Sequence, residues 1–430
     1  MNRQPYQTPP RWWAPKLSSR WMGVWRPLRR QRGYWMYGLT DVEVRGAEHV
    51  RRALDQNQGV LITPNHPTHA DPFVLLEAVD QMRQPFFFLT AWQVFAATHR
   101  LGRWILRQHG AFSINREGTD VRAMRQAVEV LEKGRCPLVV FPEGEVFHLN
   151  DRVTPFRFGA ATMALRAARR GQREIACVPC GLRFTYAKDS SEKLSAVMDK
   201  LEMQMGWKPR QETSLARRLE RLTAGVLYLK ELEHFGAGQS GDVQTRIERL
   251  IATVLGRLED RYAVIAGSRT VPERVKQLRQ RVIQGSDIAA RDRVRLAQFD
   301  DDMNQLFFVM QLFSYPADYL QQTPSLERMA ETIDKLEEDV LGARSARRRG
   351  QRRAIVEFGE PIVVKPAEYT RSDALQLTSE MHRRVQQLLD GVPTAPPLPL
   401  PEPLIPALNV LDSPEQTALT PLFDQATASL

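Results

Sequence analysis

Short apolar runs alternate with helix-like segments in the first half of the chain. Runs that are apolar at nearly every position predict strands at 60–64, 111–115, 137–141 and 174–184. Helical spacing of apolar residues predicts helices from about residue 71, over 120–133 and over 159–170. Because strands and helices alternate, and because buried parallel strands are continuously apolar, the pattern predicts an α/β fold in which helices flank a mixed sheet.

The pattern changes near residue 190. From there to about 350 no strand-like run occurs, and apolar residues recur at helical spacing in two core-facing stripes, one over 243–258 and one over 326–340. A strand-like run returns at 354–364, which predicts that the chain rejoins the sheet. We therefore expect an arm at 1–40, an α/β domain at 41–189, a helical insertion at 190–350, a return strand and helix at 351–391, and a Pro-rich tail at 392–430.

The charge of the chain is concentrated near its start. The net charge is +10, and residues 1–40 hold eight Lys or Arg, no Asp or Glu, and five of the eight tryptophans. Tryptophan rings prefer the headgroup level of a bilayer, and basic residues are attracted to anionic lipids. We expect this arm to bind a membrane surface. A disordered basic tail is the alternative, and without a recognisable nucleic-acid motif we expect no nucleic-acid partner.

The apolar runs are too short to cross a membrane. No stretch reaches the ~18 apolar residues that a spanning helix needs, and the best candidate, 85–97, is followed by three basic or histidine side chains. The three cysteines cannot form a disulfide framework, and no secretory signal pattern opens the chain. We expect a peripheral or monotopic protein on the cytoplasmic face of a membrane.

His66 and Asp71 lie five residues apart, between a predicted strand and a predicted helix. The carboxyl ends of strands are where α/β proteins place reactive side chains. A carboxylate that fixes the tautomer of an imidazole leaves the other ring nitrogen free to take a proton from an attacking hydroxyl, which is the chemistry of acyl transfer to an alcohol. Alone the spacing is a weak signal, because the chain has eight histidines and fifty acidic residues.

Three further segments end predicted strands and strengthen this interpretation. Arg116 ends segment 110–116, and its guanidinium can hold a phosphate by two parallel hydrogen bonds. Segment 141–144 brings a carboxylate and a permissive glycine to the end of the next strand, where they can line a pocket. Segment 178–181 contains Pro179 in an expected rigid turn that could shape an acyl channel.

In this order and spacing, the four segments resemble the four signature blocks of the glycerolipid acyltransferase family, which includes glycerol-3-phosphate and lysophosphatidic acid acyltransferases. The resemblance covers about 40–185 and again about 354–366. It implies an O-acyltransferase in which His66 is the general base and Asp71 its charge partner. It implies that the substrate-binding residues are Arg116, Phe141, Glu143, Gly144 and Pro179.

The resemblance also implies the reactants. The donor is a fatty acyl thioester of coenzyme A or acyl carrier protein, and the acceptor is the hydroxyl of a lysophospholipid or related lipid alcohol. The acceptor attacks the donor directly, without a covalent acyl-enzyme, and neither a cofactor nor a metal is implied.

One position departs from the family pattern. The third block usually continues with Thr-Arg after its glycine, whereas here Glu145 follows Gly144. An acidic side chain repels an anionic acceptor. We therefore expect either an acceptor without a phosphomonoester or a replacement charge from Arg152 or Arg157.

Two alternatives belong to other functional classes. His66, His69 and Asp71 form a pattern superficially like a metal-hydrolase site, but the expected remote ligands have no recognisable spacing. The second alternative is a catalytically silent acyltransferase-like protein that acts as a membrane-bound interaction module. The intact residues of the four blocks argue against silence.

Overall fold

Eight strands form one sheet in the computed structural model, which describes residues 10–391 apart from 119, 172, 268, 289–291, 323 and 344–345. They are β1 (Leu39–Arg45), β2 (Gly59–Pro64), β3 (Phe87–Ala91), β4 (Ala111–Ile114), β5 (Leu138–Val139), β6 (Ile175–Tyr186), β7 (Arg352–Phe358) and β8 (Ile362–Val364). Their order is β1-β7-β6-β2-β5-β3-β4, and β8 pairs with β6. Since β7 runs antiparallel to β6 and the other pairs on this path are parallel, the predicted mixed sheet is confirmed.

Helices surround the sheet and fill the segment between β6 and β7. The helices that precede β6 are α1 (Ser19–Tyr37), α2 (Ala47–Asp55), α3 (Asp71–Met82), α4 (Trp92–Ala96), α5 (Arg100–Gln108), α6 (Val121–Lys133) and α7 (Gly159–Gly171). The segment between β6 and β7 contains α8 (Ser191–Gln204), α9 (Leu215–Phe235), α10 (Val243–Tyr262), α11 (Val271–Ile288), α12 (Arg293–Phe313), α13 (Asp318–Gln322) and α14 (Leu326–Val340). After β8 comes α15 (Arg371–Gly391), and the Pro-rich tail at 392–430 lies outside the described residues.

Capping residues set the boundaries of several helices. The Asp120 side chain accepts a hydrogen bond from the Ala123 N–H at 2.9 Å, which satisfies one of the free donors at the start of α6. Gly134 follows the last residue of that helix. Pro72 stands in the first turn of α3, where its missing N–H costs nothing.

Apolar side chains cover both faces of the sheet. Leu61 and Ile62 of β2 are fully buried and point to opposite faces, as successive strand residues do. Leu61 belongs to the cluster that contains Leu131 of α6, and Ile62 to the cluster that contains Val74 of α3. Burying each such side chain contributes about 1.5–3 kcal/mol. The central strand β2 is therefore covered on both faces, and His66 and Asp71 follow its carboxyl end.

Pro179 does not lie in a turn, contrary to the sequence-based expectation. It sits inside the 12-residue strand β6. β8 pairs with β6 up to Cys177, and β7 pairs with it from Cys180 onward, so Pro179 falls where the partner strand changes. Its carbonyl accepts from the Gly359 N–H at 2.8 Å. A proline is tolerated there because its missing donor faces the gap between the two partners.

The helical segment has its own apolar clusters, and the stripes predicted over 243–258 and 326–340 face them. One cluster joins α10, α11 and α12, and the other joins α8, α9 and α14. Phe147 and Leu149, from the loop after β5, are buried in the first cluster. The helical segment is thus packed against the loop that follows the third sequence block.

Helix α1 packs on the sheet domain and also presents an apolar face. Arg30 Nε donates to Glu77 of α3 at 2.8 Å, and Arg29 pairs with Asp80 of the same helix. A disordered tail is therefore wrong for this part of the arm. Side chains spaced along one face remain exposed, namely Trp21, Val24, Leu28 and Trp35.

Within the described ranges, no helix combines the length and apolar character needed to cross a bilayer.

Candidate active site

His66 and Asp71 are in direct contact in the turn between β2 and α3. The His66 Nδ1 lies 2.6 Å from the Asp71 Oδ2, and Asp71 is completely buried. The same carboxylate oxygen accepts from the Thr68 N–H at 3.2 Å, and its place in the first turn of α3 favours negative charge. Since Nδ1 faces the carboxylate, we assign its proton there and the lone pair to Nε2.

Two buried side chains hold this loop in place. Asn65 donates to the Leu182 carbonyl at 2.9 Å and accepts from the Leu182 N–H at 2.7 Å, which ties the loop to β6. Glu143 Oε1 accepts from the His66 N–H at 2.6 Å. Its Oε2 accepts from the N–H and the hydroxyl of Thr154. Glu143 therefore positions His66 through the backbone.

The surroundings of His66 keep its imidazole neutral. The ring stacks on Phe141, with 4.1 Å between ring centroids. Burial, followed by the positive charge of Arg116, lowers the pKa of His66 to about 3. Burial raises the pKa of Asp71 well above its usual value, and the hydrogen bond from Thr68 opposes that change. A neutral imidazole at pH 7 can accept a proton on Nε2.

A cavity of about 1780 Å³ opens beside His66. One part of its wall is apolar and comes from α1, α3, β3 and α5, including Trp25, Phe73, Leu76, Leu89 and Ile105. Pockets that hold one drug-sized ligand typically measure ~300–1,000 Å³. The cavity therefore has room for a long apolar chain together with a second molecule.

Charged side chains line another part of the same cavity. Arg279 of α11 lies 2.8 Å from Glu145, and Arg157 lies 3.6 Å from the same carboxylate. Burial would raise the pKa of Glu145, but the charges of Arg279, Arg116 and Arg157 together lower it to about 2. The acid that departs from the family pattern is thus ionised and surrounded by cations.

Gly144 is fixed at the edge of this charged region. Its φ is +79°, a backbone conformation that favours glycine, and a Cβ there would lie 2.6 Å from the Arg157 Nε. Arg116 donates to the Gly144 carbonyl through Nη1. The glycine therefore allows both guanidiniums to approach the loop.

The predicted site residues fall into two groups. His66, Phe141, Gly144 and Arg116 line the cavity, and Asp71 contacts His66 from behind. Glu143 and Pro179 are not among the described residues that line it. Glu143 instead holds the loop of His66, and Pro179 lies within β6 beside Gly359.

Arg152 and Arg157 were the two candidates to replace the arginine that the third sequence block lacks. Among the described residues, only one of them lines the cavity. Arg157 lines it, whereas Arg152 pairs with Asp318 at 2.5–2.6 Å and is not among its described lining residues. Sequence reasoning missed Arg279 and Lys276 of α11, which also line it. No motif marks these residues, and Arg279 is 134 positions away from Glu145.

Comparisons with known proteins agree with the four sequence blocks. A family model described as Acyltransferase matches residues 41–183. A 1-acyl-sn-glycerol-3-phosphate acyltransferase of Streptococcus pneumoniae (strain ATCC BAA-255 / R6) is 31% identical over 116 residues. That match covers 27% of this chain and 40% of the relative, so the chain spans less than half of the relative's length.

Among solved structures, the chain is similar to the 1-acyl-sn-glycerophosphate (LPA) acyltransferase PlsC from Thermotoga maritima. The likeness has 20% sequence identity and a TM-score of 0.27, and it covers 37% of this chain and 57% of that one. The family model and the sequence relative confirm the resemblance carried by the four blocks: residues 41–183 are similar to acyltransferases, including a glycerolipid acyltransferase.

Proposed function

We propose that this protein is an O-acyltransferase that moves a fatty acyl group from an acyl thioester to the hydroxyl of a glycerolipid or lysophospholipid. The observation that carries the proposal is the contact of 2.6 Å between His66 and Asp71 at the wall of a large, partly apolar cavity. The name of the Streptococcus pneumoniae relative, which acts on 1-acyl-sn-glycerol 3-phosphate, supports the acceptor class.

The proposed reaction is a direct transfer. His66 Nε2 takes the proton of the acceptor hydroxyl as the hydroxyl oxygen forms a bond to the thioester carbonyl carbon. The tetrahedral intermediate breaks its carbon–sulfur bond, and the imidazolium returns the proton to the thiolate. The products are an ester and a free thiol. Asp71 stabilises the imidazolium between the two proton transfers.

The charged part of the cavity supports an acceptor that carries a phosphate. Arg116 and Arg157 line it and can donate paired hydrogen bonds to phosphate oxygens. Glu145 would repel such a group if it stood alone, but Arg279 lies against it at 2.8 Å. We therefore favour a phosphorylated glycerolipid over a neutral lipid alcohol.

The position of α1 supports access from a membrane. Trp25, Leu28 and Trp35 of this helix line the cavity, and Leu28 and Trp35 are also exposed. A helix that rests on a bilayer with this face would place the cavity mouth at the lipid surface. A lipid acceptor could then enter without passing through water.

The test is release of free thiol from an acyl-coenzyme A by the purified full chain. The acceptor panel contains lysophosphatidic acid, glycerol 3-phosphate, other lysophospholipids and neutral lipid alcohols, with acyl carrier protein as a second donor. We expect release that depends on an acceptor, is lost in His66→Ala and persists in His49→Ala, a histidine of α2 outside the cavity lining. Release that stays at background in all three proteins, with every acceptor and with both donors, would favour the silent interaction module.

A further inference from the structure

A second group of polar side chains includes His69, which lies in the same loop as His66 and lines the same cavity. His69 of this loop, His148 of the loop after β5 and Glu338 of α14 each offer one ligand atom, and these three atoms lie within 4.8 Å of one another. His148 and Glu338 are buried, and His69 is half-buried. The three residues are remote in sequence, which is why the sequence showed no metal-site spacing.

Asp71 is not part of this group, because its carboxylate faces His66. The pattern of His66, His69 and Asp71 that resembled a hydrolase site is therefore divided between two places. His66 and Asp71 face each other, whereas the His69 ring packs edge-on against His148 with 5.8 Å between centroids. The fold brings His69 close to His148 and Glu338, which are remote from it in sequence.

His148 is held in an unusual backbone conformation. Its φ is +52°, a left-handed conformation that non-glycine residues adopt rarely and at a cost. The neighbours Phe147 and Leu149 fix it by packing into the helical segment, and Asn150 does so through two hydrogen bonds of 2.7 Å to Phe184. The fold thus directs this imidazole inward at the expense of local strain.

The inward-facing nitrogen of His148 has no hydrogen bond to any residue that the structure describes. His148 is only 8% exposed, and its Nε2 is buried without a hydrogen-bond partner among the described residues. Glu338 Oε1 is 3.8 Å from it, beyond hydrogen-bond distance. A buried polar atom left without a partner costs about 1–3 kcal/mol. A ligand between the three side chains would remove that cost.

The three donors suit a transition metal. Two imidazoles and one carboxylate are donors that Zn²⁺ prefers, at ~2.0–2.2 Å each, with water as a fourth ligand. Donors around such an ion are about 3.3 Å apart, so modest side-chain rotation closes the group from its present spacing.

Nearby charges are compatible with a divalent ion. The positive charges of Lys335 and Arg352 lie close enough to His148 to interact with it electrostatically. However, Lys335 donates to the Ser314 carbonyl, and Arg352 pairs with Asp334 at 3.3 Å. These two side chains are thus engaged by other partners.

We infer that His69, His148 and Glu338 bind one divalent ion of the Zn²⁺ class, which fastens the helical segment to the loop that holds His66. Glu338 belongs to α14, and His69 follows His66 by three residues. The ion would act as a structural cross-link between these elements. The inference does not depend on the proposed acyl transfer, because it concerns metal binding in the absence of any substrate.

The experiment is a calorimetric titration of the chelator-treated full chain with zinc chloride, together with elemental analysis and a cobalt titration followed by visible absorption. We expect one zinc ion per chain, a cobalt spectrum typical of tetrahedral coordination, and a higher melting temperature with zinc. Glu338→Gln and His148→Asn should each weaken zinc binding by roughly 100-fold or more, since each removes a ligand. Asparagine is chosen because it tolerates the left-handed backbone of position 148.

The matched control is His234→Ala, which removes a histidine of α9 that stacks on Phe308. It should bind zinc as the wild type does. A wild-type chain that takes up no stoichiometric zinc would overturn the inference, and this result needs no variant to fold. Equal zinc affinity in the wild type, Glu338→Gln and His148→Asn would overturn it as well.

Discussion

The Arg279 Nη1 lies 2.8 Å from the Glu145 Oε1, although 134 residues separate them along the chain. Arg279 is 1% exposed and belongs to α11 of the helical segment, whereas Glu145 follows the third sequence block of the sheet domain. The contact joins the two parts of the molecule at the cavity. It also neutralises an acid that would otherwise oppose an anionic acceptor.

A double-mutant cycle tests whether this pair acts as a unit. Arg279→Ala leaves Glu145 with less positive charge around it, so we expect KM for a phosphorylated acceptor to rise about tenfold or more. In Glu145→Ala, adding Arg279→Ala should have a smaller effect, because the carboxylate is no longer there to repel the acceptor. Strictly additive losses in KM would contradict the coupling.

Arg157 and Arg152 form a matched pair for testing phosphate binding. Arg157 lines the cavity, and Arg152 pairs with Asp318 away from it. We expect Arg157→Ala to raise KM for a phosphorylated acceptor by roughly 10- to 100-fold, the equivalent of a charged hydrogen bond of about 1.5–3 kcal/mol, while Arg152→Ala stays near the wild type. Initial-rate kinetics with both variants measure this. A larger effect of Arg152→Ala would exclude Arg157 as the replacement charge.

The buried carboxyl of Glu143 should make stability depend on pH. Burial raises its pKa to about 7, although hydrogen bonds from Thr154 and His66 act in the opposite direction. Between about pH 4.5 and pH 7 the folded state therefore keeps a proton that the unfolded state has lost. The free energy of unfolding should fall as pH rises through this window.

Denaturant unfolding at pH 5 and pH 8 measures this dependence. Glu143→Gln should make the decrease in the free energy of unfolding between these pH values smaller. Part of the decrease should persist, because burial also raises the pKa of Glu331 to about 8 and that of Asp334 to about 6. The exposed Glu212→Gln serves as control. An unchanged pH dependence in Glu143→Gln would show that Glu143 does not titrate in this window.

Helix α1 should carry the protein to anionic membranes. Val24 and Trp35 are 60% and 67% exposed on one face of the helix. Burying an apolar side chain of this size contributes about 1.5–3 kcal/mol, so replacing both with serine should weaken binding to anionic vesicles more than tenfold. Flotation measures this, and the control is Leu229→Ser, which replaces an exposed leucine of α9. Equal losses in both proteins would count against α1 as the membrane-binding face.

Local sequence signals predicted the loop that carries His66 and much of the sheet. Strand β2, the start of α3 at Asp71 and the cap at Asp120 each depend on neighbouring residues, so they can be read from a short window. The contact between His66 and Asp71 follows from the same local turn. These are properties that five to fifteen consecutive residues determine.

Long-range contacts could not be predicted in this way. The approach of Arg279 to Glu145, and of Glu338 to His148, depends on how the helical segment packs, and neither pair has a characteristic spacing. The position of Pro179 depends on where β8 ends and β7 begins beside β6. Each of these features requires the tertiary structure.

The most direct test of the central claim is kcat of Asp71→Asn with the acceptor that the wild type uses best. An asparagine keeps the shape of the side chain but cannot stabilise an imidazolium at His66. We predict that kcat falls by roughly 10²- to 10⁴-fold while the melting temperature stays close to that of the wild type. A kcat within twofold of the wild type would contradict the role of the His66–Asp71 pair in proton transfer.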